Sequence, residues 1–229
     1  MDIPTDNQNV AVTSSDTPAS DSGGSDINIG VVLKESWRLT SGVKGKFIGA
    51  VVVAVAITLV LEALLGIASN YAGGIVAVIA VFIYVGITAV FMTGIMVMGI
   101  KRASGQEIVV NDVFAFFPKF LKLLFTYVAV AVLVMVGTVL LVLPGIYLAV
   151  AYIFALPLVA LEDLGIWEAL EKSRKKVTTY WFSYFGWSFV IMIILWLSAL
   201  PLGIGLIWTL PMACIGYGIL YRNAFSGRG

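Results

Sequence analysis

A single carboxylate, that of Glu62, stands inside one of the long apolar stretches of this 229-residue sequence. Burying an ionised carboxylate in hydrocarbon costs about 2.5–3.5 kcal/mol on insertion scales, so a proton-coupling acid that faces a cavity is one interpretation. Glu62 stands about 15 residues into its stretch, and nearness to the outer surface lowers that cost. We therefore favour a carboxylate that snorkels to the surface or is protonated and bonded to a neighbour.

The residue types that most often carry out catalysis are scarce in this chain. It contains no histidine, which is the commonest general base and zinc ligand, and its one cysteine, Cys214, lies in an apolar run. Serines are numerous, but a serine without a neighbouring base is inert. We therefore predict that the chain is not an enzyme, and we assign no catalytic residue, cofactor or metal ligand.

Two prolines, Pro157 and Pro211, lie inside stretches that are otherwise apolar. A proline within a helix frees a carbonyl one turn back and kinks the helix, and broken helices form the binding site of some transporters. No charged or amide group stands beside either proline. We therefore predict helix kinks that shape the bundle, with a transporter site as the alternative.

The densest basic cluster of the sequence comprises Lys172, Arg174, Lys175 and Lys176. Such a cluster beside an apolar run can hold anionic lipid headgroups, at about 1 kcal/mol for each residue near the surface. It is equally a signal of membrane orientation, and four nearby acidic residues partly offset its field: Glu162, Asp163, Glu168 and Glu171.

The elements that position these residues are apolar helices. The chain is 60% hydrophobic and only 12% charged, whereas a soluble domain carries about 25% charged residues. Long apolar runs in lipid form helices, because every backbone polar group must be satisfied internally. The sequence predicts an all-α fold, a polytopic transmembrane helical bundle with six spans at residues 47–68, 72–100, 123–143, 146–161, 181–200 and 203–221.

The spans are predicted to pair as three hairpins. Their joints are short, at residues 69–71, Pro144-Gly145 and Pro201-Leu202, and none of the 14 Lys and Arg lies in them. Every Lys and Arg lies before the first span, between the second and third, between the fourth and fifth, or after the sixth. The positive-inside rule then predicts a multi-pass protein of the cytoplasmic (inner) membrane with both termini in the cytoplasm.

A cytoplasmic amphipathic helix is predicted before each hairpin. The three segments are residues 29–39 with Asn28 as N-cap, 112–121 with Asn111 as N-cap, and 165–180. Helices of this kind lie in the headgroup layer or pack under the bundle. Residues 1–27, with five Asp and no Lys or Arg, are predicted to be a disordered cytoplasmic tail ahead of a membrane domain over residues 28–225.

Several strings in the chain resemble a known group of proteins. They are Leu33-Lys34-Glu35-Ser36-Trp37-Arg38, Leu143-Pro144-Gly145-Ile146-Tyr147, Ala155-Leu156-Pro157-Leu158-Val159, Trp167-Glu168-Ala169-Leu170-Glu171-Lys172-Ser173 and Tyr221-Arg222. The chain is similar, over residues 29–225, to uncharacterised prokaryotic six-span integral membrane proteins and to the membrane domain fused to glycerophosphodiester phosphodiesterases. The resemblance implies fold and topology. It does not imply phosphodiesterase activity, which needs a separate soluble barrel with carboxylates and histidines.

Three classes of function remain open for such a chain. We expect a non-enzymatic membrane domain that organises lipid, including anionic lipid, or a protein partner, and we leave homo-oligomerisation open. The alternative is a small-solute transporter or channel, although such proteins usually mark their path with several intramembrane polar residues. An enzyme acting on lipid ranks last. The basic residues are spread in small groups beside apolar runs, which does not indicate nucleic-acid binding.

Overall fold

The computed structural model describes residues 27–71 and 74–225 of the chain. The predicted tail over residues 1–27 therefore lies outside the described residues apart from Ile27. The described residues form nine α-helices, without a strand: α1 Ile29–Thr40, α2 Lys44–Tyr71, α3 Gly74–Ala103, α4 Phe120–Leu140, α5 Val142–Ala151, α6 Ala155–Glu162, α7 Ile166–Thr179, α8 Trp181–Ala199 and α9 Leu206–Phe225. Two short 3₁₀ helices, Val110–Phe114 and Phe117–Lys119, precede α4.

The described residues are helical without a strand, which confirms the all-α class, and five stretches of this structure are long and apolar enough to cross a membrane. They are Lys44–Ile67, Gly74–Ala103, Val110–Leu140, Val142–Glu162 and Trp181–Ala199. Their outer surfaces are strongly apolar, with Ile75 79% exposed and Val139 80% exposed. Hydrocarbon side chains in such numbers would be covered by lipid rather than by water.

The remaining long helix, α9, corresponds to the sixth predicted span but is not among those five stretches. It packs mainly against α3 and α1. Half of its residues are buried, including Thr209, Pro211 and Tyr221. A helix that is surrounded by protein does not need the continuous apolar surface that lipid demands, which accounts for its lower hydropathy.

Glycines bring α3 and α9 into close contact. A Cβ on Gly99 would overlap the backbone carbonyl of Cys214, and a Cβ on Gly218 would overlap the carbonyl of Gly99. In lipid, helices associate through such close van der Waals packing because no hydrophobic force draws them together. The two helices therefore hold each other at a separation that only glycine permits.

Two of the predicted amphipathic helices are confirmed. The side chain of Asn28 accepts a hydrogen bond of 3.2 Å from the Val31 N–H, so it caps α1 as predicted. Helix α7 covers residues 166–179 and buries Ala169, Leu170, Ser173 and Val177 against the bundle.

The predicted helix over residues 112–121 with Asn111 as its cap is wrong. This segment forms two 3₁₀ turns, and Asn111 is exposed. The side chain of Asp112 is the buried one, and it accepts a hydrogen bond of 2.9 Å from the Val109 N–H. Asp112 also pairs with Lys101 at 2.7 Å, which connects this turn to the last part of α3.

The predicted joint at Pro144-Gly145 is also wrong. Helix α4 ends at Leu140, Leu141 is extended, and α5 begins at Val142, so Pro144 and Gly145 lie in the first turn of α5. A proline is tolerated there because the first N–H groups of a helix have no partner within it. Gly145 packs directly on Thr138 of α4, which explains how the two helices turn so sharply.

Candidate functional site

Glu62 lies on the exposed side of helix α2, at the periphery of the helical bundle. Its side chain is exposed on α2 and forms no ion pair with any described residue. The nearby cavity between α2 and α3, about 180 Å³ in volume, is lined instead by Leu61, Leu64, Leu65, Ala80, Ile83 and Tyr84. Glu62 therefore faces away from the protein interior. The two interpretations of Glu62, as a carboxylate that snorkels to the surface and as a proton-coupling acid, both remain predictions.

Basic side chains cap the carboxyl ends of three helices. Arg102 donates to the carbonyls of Leu39 and Ser41, at 3.0 and 3.3 Å, where α1 ends. Arg222 donates to the carbonyl of Ala103 at 2.5 Å, where α3 ends. The last carbonyls of a helix lack partners and carry partial negative charge, so a cation stabilises them.

The third such cap joins α4 to α6. The Lys119 ammonium donates to the carbonyl of Ala160 at 2.9 Å and pairs with Asp163 at 3.1 Å. Lys122 reaches the same carboxylate at 2.9 Å. Hydrogen bonds from Lys122 and Lys119 hold the pKa of Asp163 below its ordinary value.

Ion pairs connect these caps into one layer. Arg222 pairs with Glu35 of α1 at 3.1 Å, and Lys172 of α7 pairs with Glu162 at the end of α6. Glu162 also accepts a hydrogen bond of 3.3 Å from the hydroxyl of Tyr221 on α9. We call the residues of these caps and pairs the charged layer. It joins α1, α3, α4, α6, α7 and α9 at one end of the bundle.

Three of the four predicted lipid contacts on α7 are ion-paired within the protein, through two carboxylates. Lys172 pairs with Glu162, while Arg174 and Lys175 both pair with Glu171, at 2.9 and 3.2 Å. Hydrogen bonds from Arg174 and Lys175 lower the pKa of Glu171. Only Lys176 is exposed without an ion pair to a described residue. The role of these four residues as lipid contacts remains a prediction, and fewer of them are unpaired than the sequence alone indicates.

The stretch Val142–Glu162 is broken near its middle. Helix α5 ends at Ala151, and α6 begins at Ala155. The hydroxyl of Ser173, which is fully buried on α7, bridges this gap. It donates to the Ala151 carbonyl at 2.8 Å and accepts from the Phe154 N–H at 3.3 Å. One side chain therefore satisfies a backbone donor and acceptor that the break leaves without helical partners.

The two prolines have different positions relative to their helices. Pro157 is buried in the first turn of α6, three residues after the break. Pro211 is buried inside α9. The kinks at the two prolines and the alternative of a transporter site both remain predictions.

Two polar features of this structure were not predicted from the sequence. The first is Ser173, which the sequence could have indicated because it is the one hydroxyl residue between Leu170 and Val177 on the apolar face of α7. The second is Lys44, whose ammonium lies 5.4 Å from the ring centroid of Trp208. A cation over an aromatic face is attracted by the ring quadrupole. That contact joins the first residue of α2 to α9, and nothing local in the sequence indicates it.

Comparisons with known proteins complete the description of the site. Neither the family models, nor the curated proteins, nor the solved structures that were searched include a match to this chain.

Proposed function

We propose that this chain is a six-span integral membrane domain, with both termini in the cytoplasm, that acts without catalysis by holding anionic lipid at its cytoplasmic face. The observation that carries the proposal is the excess of basic over acidic residues in the part of the chain that the structure describes, which leaves exposed cations such as Lys34, Arg38 and Lys176 without an ion pair to a described residue. Residues 27–225 contain 13 of the 14 Lys and Arg but only eight of the 13 Asp and Glu. The membrane domain therefore has an excess of positive charge, and anionic headgroups are its natural counterions.

The contacts of α9 support its role as the sixth span. Trp187 of α8 packs on Gly216, and Ser198 of α8 packs on Gly205, so α9 returns antiparallel to α8. About 20 residues suffice to cross the hydrocarbon core, and α9 contains 20. The same six-span arrangement is what the resemblance to prokaryotic six-span proteins implies.

A transporter or channel is the second candidate. The observation in its favour is the broken stretch Val142–Glu162, because discontinuous helices present free backbone groups to a solute in some transporters. Here the Ala151 carbonyl and the Phe154 N–H are both bonded to Ser173. The broken helix in this conformation thus offers those two groups to its own chain rather than to a solute.

Reporter fusions test the topology. Fusions after Arg102 and after Asp163 should report the cytoplasm, while fusions after Leu141 and after Leu202 should report the outside. The same reporters expressed without the membrane domain control for their intrinsic activity. A fusion after Arg102 or Asp163 that reports the outside would overturn the six-span arrangement.

Native mass spectrometry of the purified full chain tests the lipid function. After reconstitution into phosphatidylcholine with a minority of phosphatidylglycerol, the protein should retain phosphatidylglycerol preferentially, and the preference should weaken at high salt because ions screen exposed charges. Retention in proportion to the bulk mixture would contradict the lipid function. A bound solute would favour transport, and a second chain would favour assembly.

A further inference from the structure

Helix α1 presents two cations at the centre of its exposed face. Lys34 and Arg38, one helical turn apart, are both exposed, and neither forms an ion pair with any described residue. The large apolar side chains of Trp37 and Val31 flank them, at 56% and 59% exposure. Lys46 in the first turn of α2 is likewise exposed and free of ion pairs to described residues.

The opposite face of α1 is held firmly in the bundle. Val32, Ser36 and Thr40 are buried against the rest of the protein. Glu35 at the side of the helix pairs with Arg222. The helix cannot rotate to bury Lys34 and Arg38 without breaking these contacts, so the exposed cationic face is a fixed surface.

The contacts of α1 also place it at the level of the helix ends. Its last carbonyls bind Arg102 near the end of α3, and its Glu35 binds Arg222 near the end of α9. At its other end, Ile29 lies against Gly186, in the second turn of α8. A helix at this depth beside apolar spans lies along the headgroup layer, where tryptophan is favoured and a cationic face meets lipid phosphate.

We propose that the exposed face of α1, formed by Lys34, Arg38 and Trp37 with Lys46 beside it, is the binding surface for anionic phospholipid headgroups of the cytoplasmic leaflet. This proposal rests on the proposed function and names the surface that performs it. It assigns the role to α1 rather than to α7, because three of the four cations of α7 are ion-paired within the protein while those of α1 are not. A cation that is already ion-paired to a carboxylate attracts a second anion only weakly.

The test compares two double variants of the full chain in the same lipid mixture. Lys34→Gln with Arg38→Gln removes the two free cations of α1. Lys122→Gln with Lys175→Gln removes two cations that are exposed but ion-paired to Asp163 and Glu171. Each free cation near the surface contributes a factor of about five in binding, so the α1 variant should lose phosphatidylglycerol retention by about 25-fold. The control variant should lose much less.

The outcomes separate this inference from the proposed function. If the unaltered chain shows no preference for phosphatidylglycerol, both fail. If the unaltered chain shows it and the α1 variant keeps it, the inference about α1 fails while the lipid function stands. A fusion after Arg102 in each variant confirms that orientation is unchanged, since these charges also help to set it.

The acidic N-terminal residues are the rival occupant of this face. Five aspartates lie within residues 1–26 and carry the charge that Lys34 and Arg38 attract. If they covered α1, deleting residues 2–26 would increase phosphatidylglycerol retention, and the α1 double variant would have no effect in the full chain. That pair of results would overturn the proposal.

Discussion

The bridge formed by Ser173 across the broken stretch offers the sharpest test of the structure. Replacing Ser173 by Ala removes one hydroxyl and changes little else, because the Cβ is kept and the site is fully buried. The Ala151 carbonyl and the Phe154 N–H would both lose the partner that now binds them, at 2.8 and 3.3 Å. Neither group can turn readily to water, since Ala151 and Phe154 are themselves fully buried.

The expected loss follows from these two groups. A buried polar group left without a partner costs about 1–3 kcal/mol, whereas cross-helix hydrogen bonds in a membrane protein contribute about 0.6 kcal/mol on average and about 1.7 kcal/mol at most. The bond to Phe154 is the longer of the two and contributes less. We expect Ser173→Ala to lower the free energy of unfolding by about 2 kcal/mol. For a chain of this size that is a fall of about 4–8 °C in Tm.

Thermal unfolding in detergent, followed by circular dichroism, measures this loss. The matched control is Ser198→Ala on α8, because the Ser198 hydroxyl donates only to the Ile194 carbonyl of its own helix, at 2.7 Å. That carbonyl keeps its helical partner, so the control should change Tm little. If Ser173→Ala melts at the same temperature as Ser198→Ala, the bridge does not hold the break, and the reasoning is refuted.

Two further perturbations test the α3–α9 contact and the charged layer. Gly99→Ala should destabilise the fold by about 1–3 kcal/mol, because its Cβ would overlap the Cys214 carbonyl. The control is Gly45→Ala, whose Cβ meets nothing within 4 Å and which should leave Tm unchanged or slightly raised. Equal effects of the two variants on Tm would contradict the α3–α9 contact. The pKa of Asp163 is lower in the folded state than its ordinary value. Ionised Asp163 therefore stabilises the folded state at pH values above the ordinary aspartate pKa, and this stabilisation is lost as pH falls through the pKa that Asp163 has in the folded state. Lys122→Gln should raise the pKa of Asp163 toward its ordinary value, as measured by carboxyl carbon NMR, and an unchanged titration midpoint would refute the role of Lys122.

The charged layer gives three of the cations outside the predicted spans a second role. The positive-inside rule explains why Arg102, Lys119 and Arg222 lie outside the predicted spans. The structure shows that the same three residues close the carboxyl ends of α1, α6 and α3. A change at one of them therefore affects helix packing as well as orientation, and the two effects must be measured separately.

The sequence by itself determined the features that depend on local chemistry. Apolar composition over about 20 residues is enough to form a helix in lipid, and the helical class and the bounds of α2, α3 and α8 follow from it. The cap at Asn28 and the periodicity of α7 are equally local, since each is a matter of residues three or four apart. These predictions needed no knowledge of what surrounds the segment.

Features that depend on neighbours from distant parts of the chain were decided only by the tertiary structure. The turn at Leu141 and the break before α6 depend on the approach of Thr138 to Gly145 and on Ser173 from α7. Asp112 rather than Asn111 bonds the turn, and its carboxylate also pairs with Lys101 from α3. The tertiary structure also decides which cations have no ion pair, because a cation pairs with whichever carboxylate the fold brings within about 4 Å. Arg222, for example, pairs with Glu35 from the opposite end of the chain.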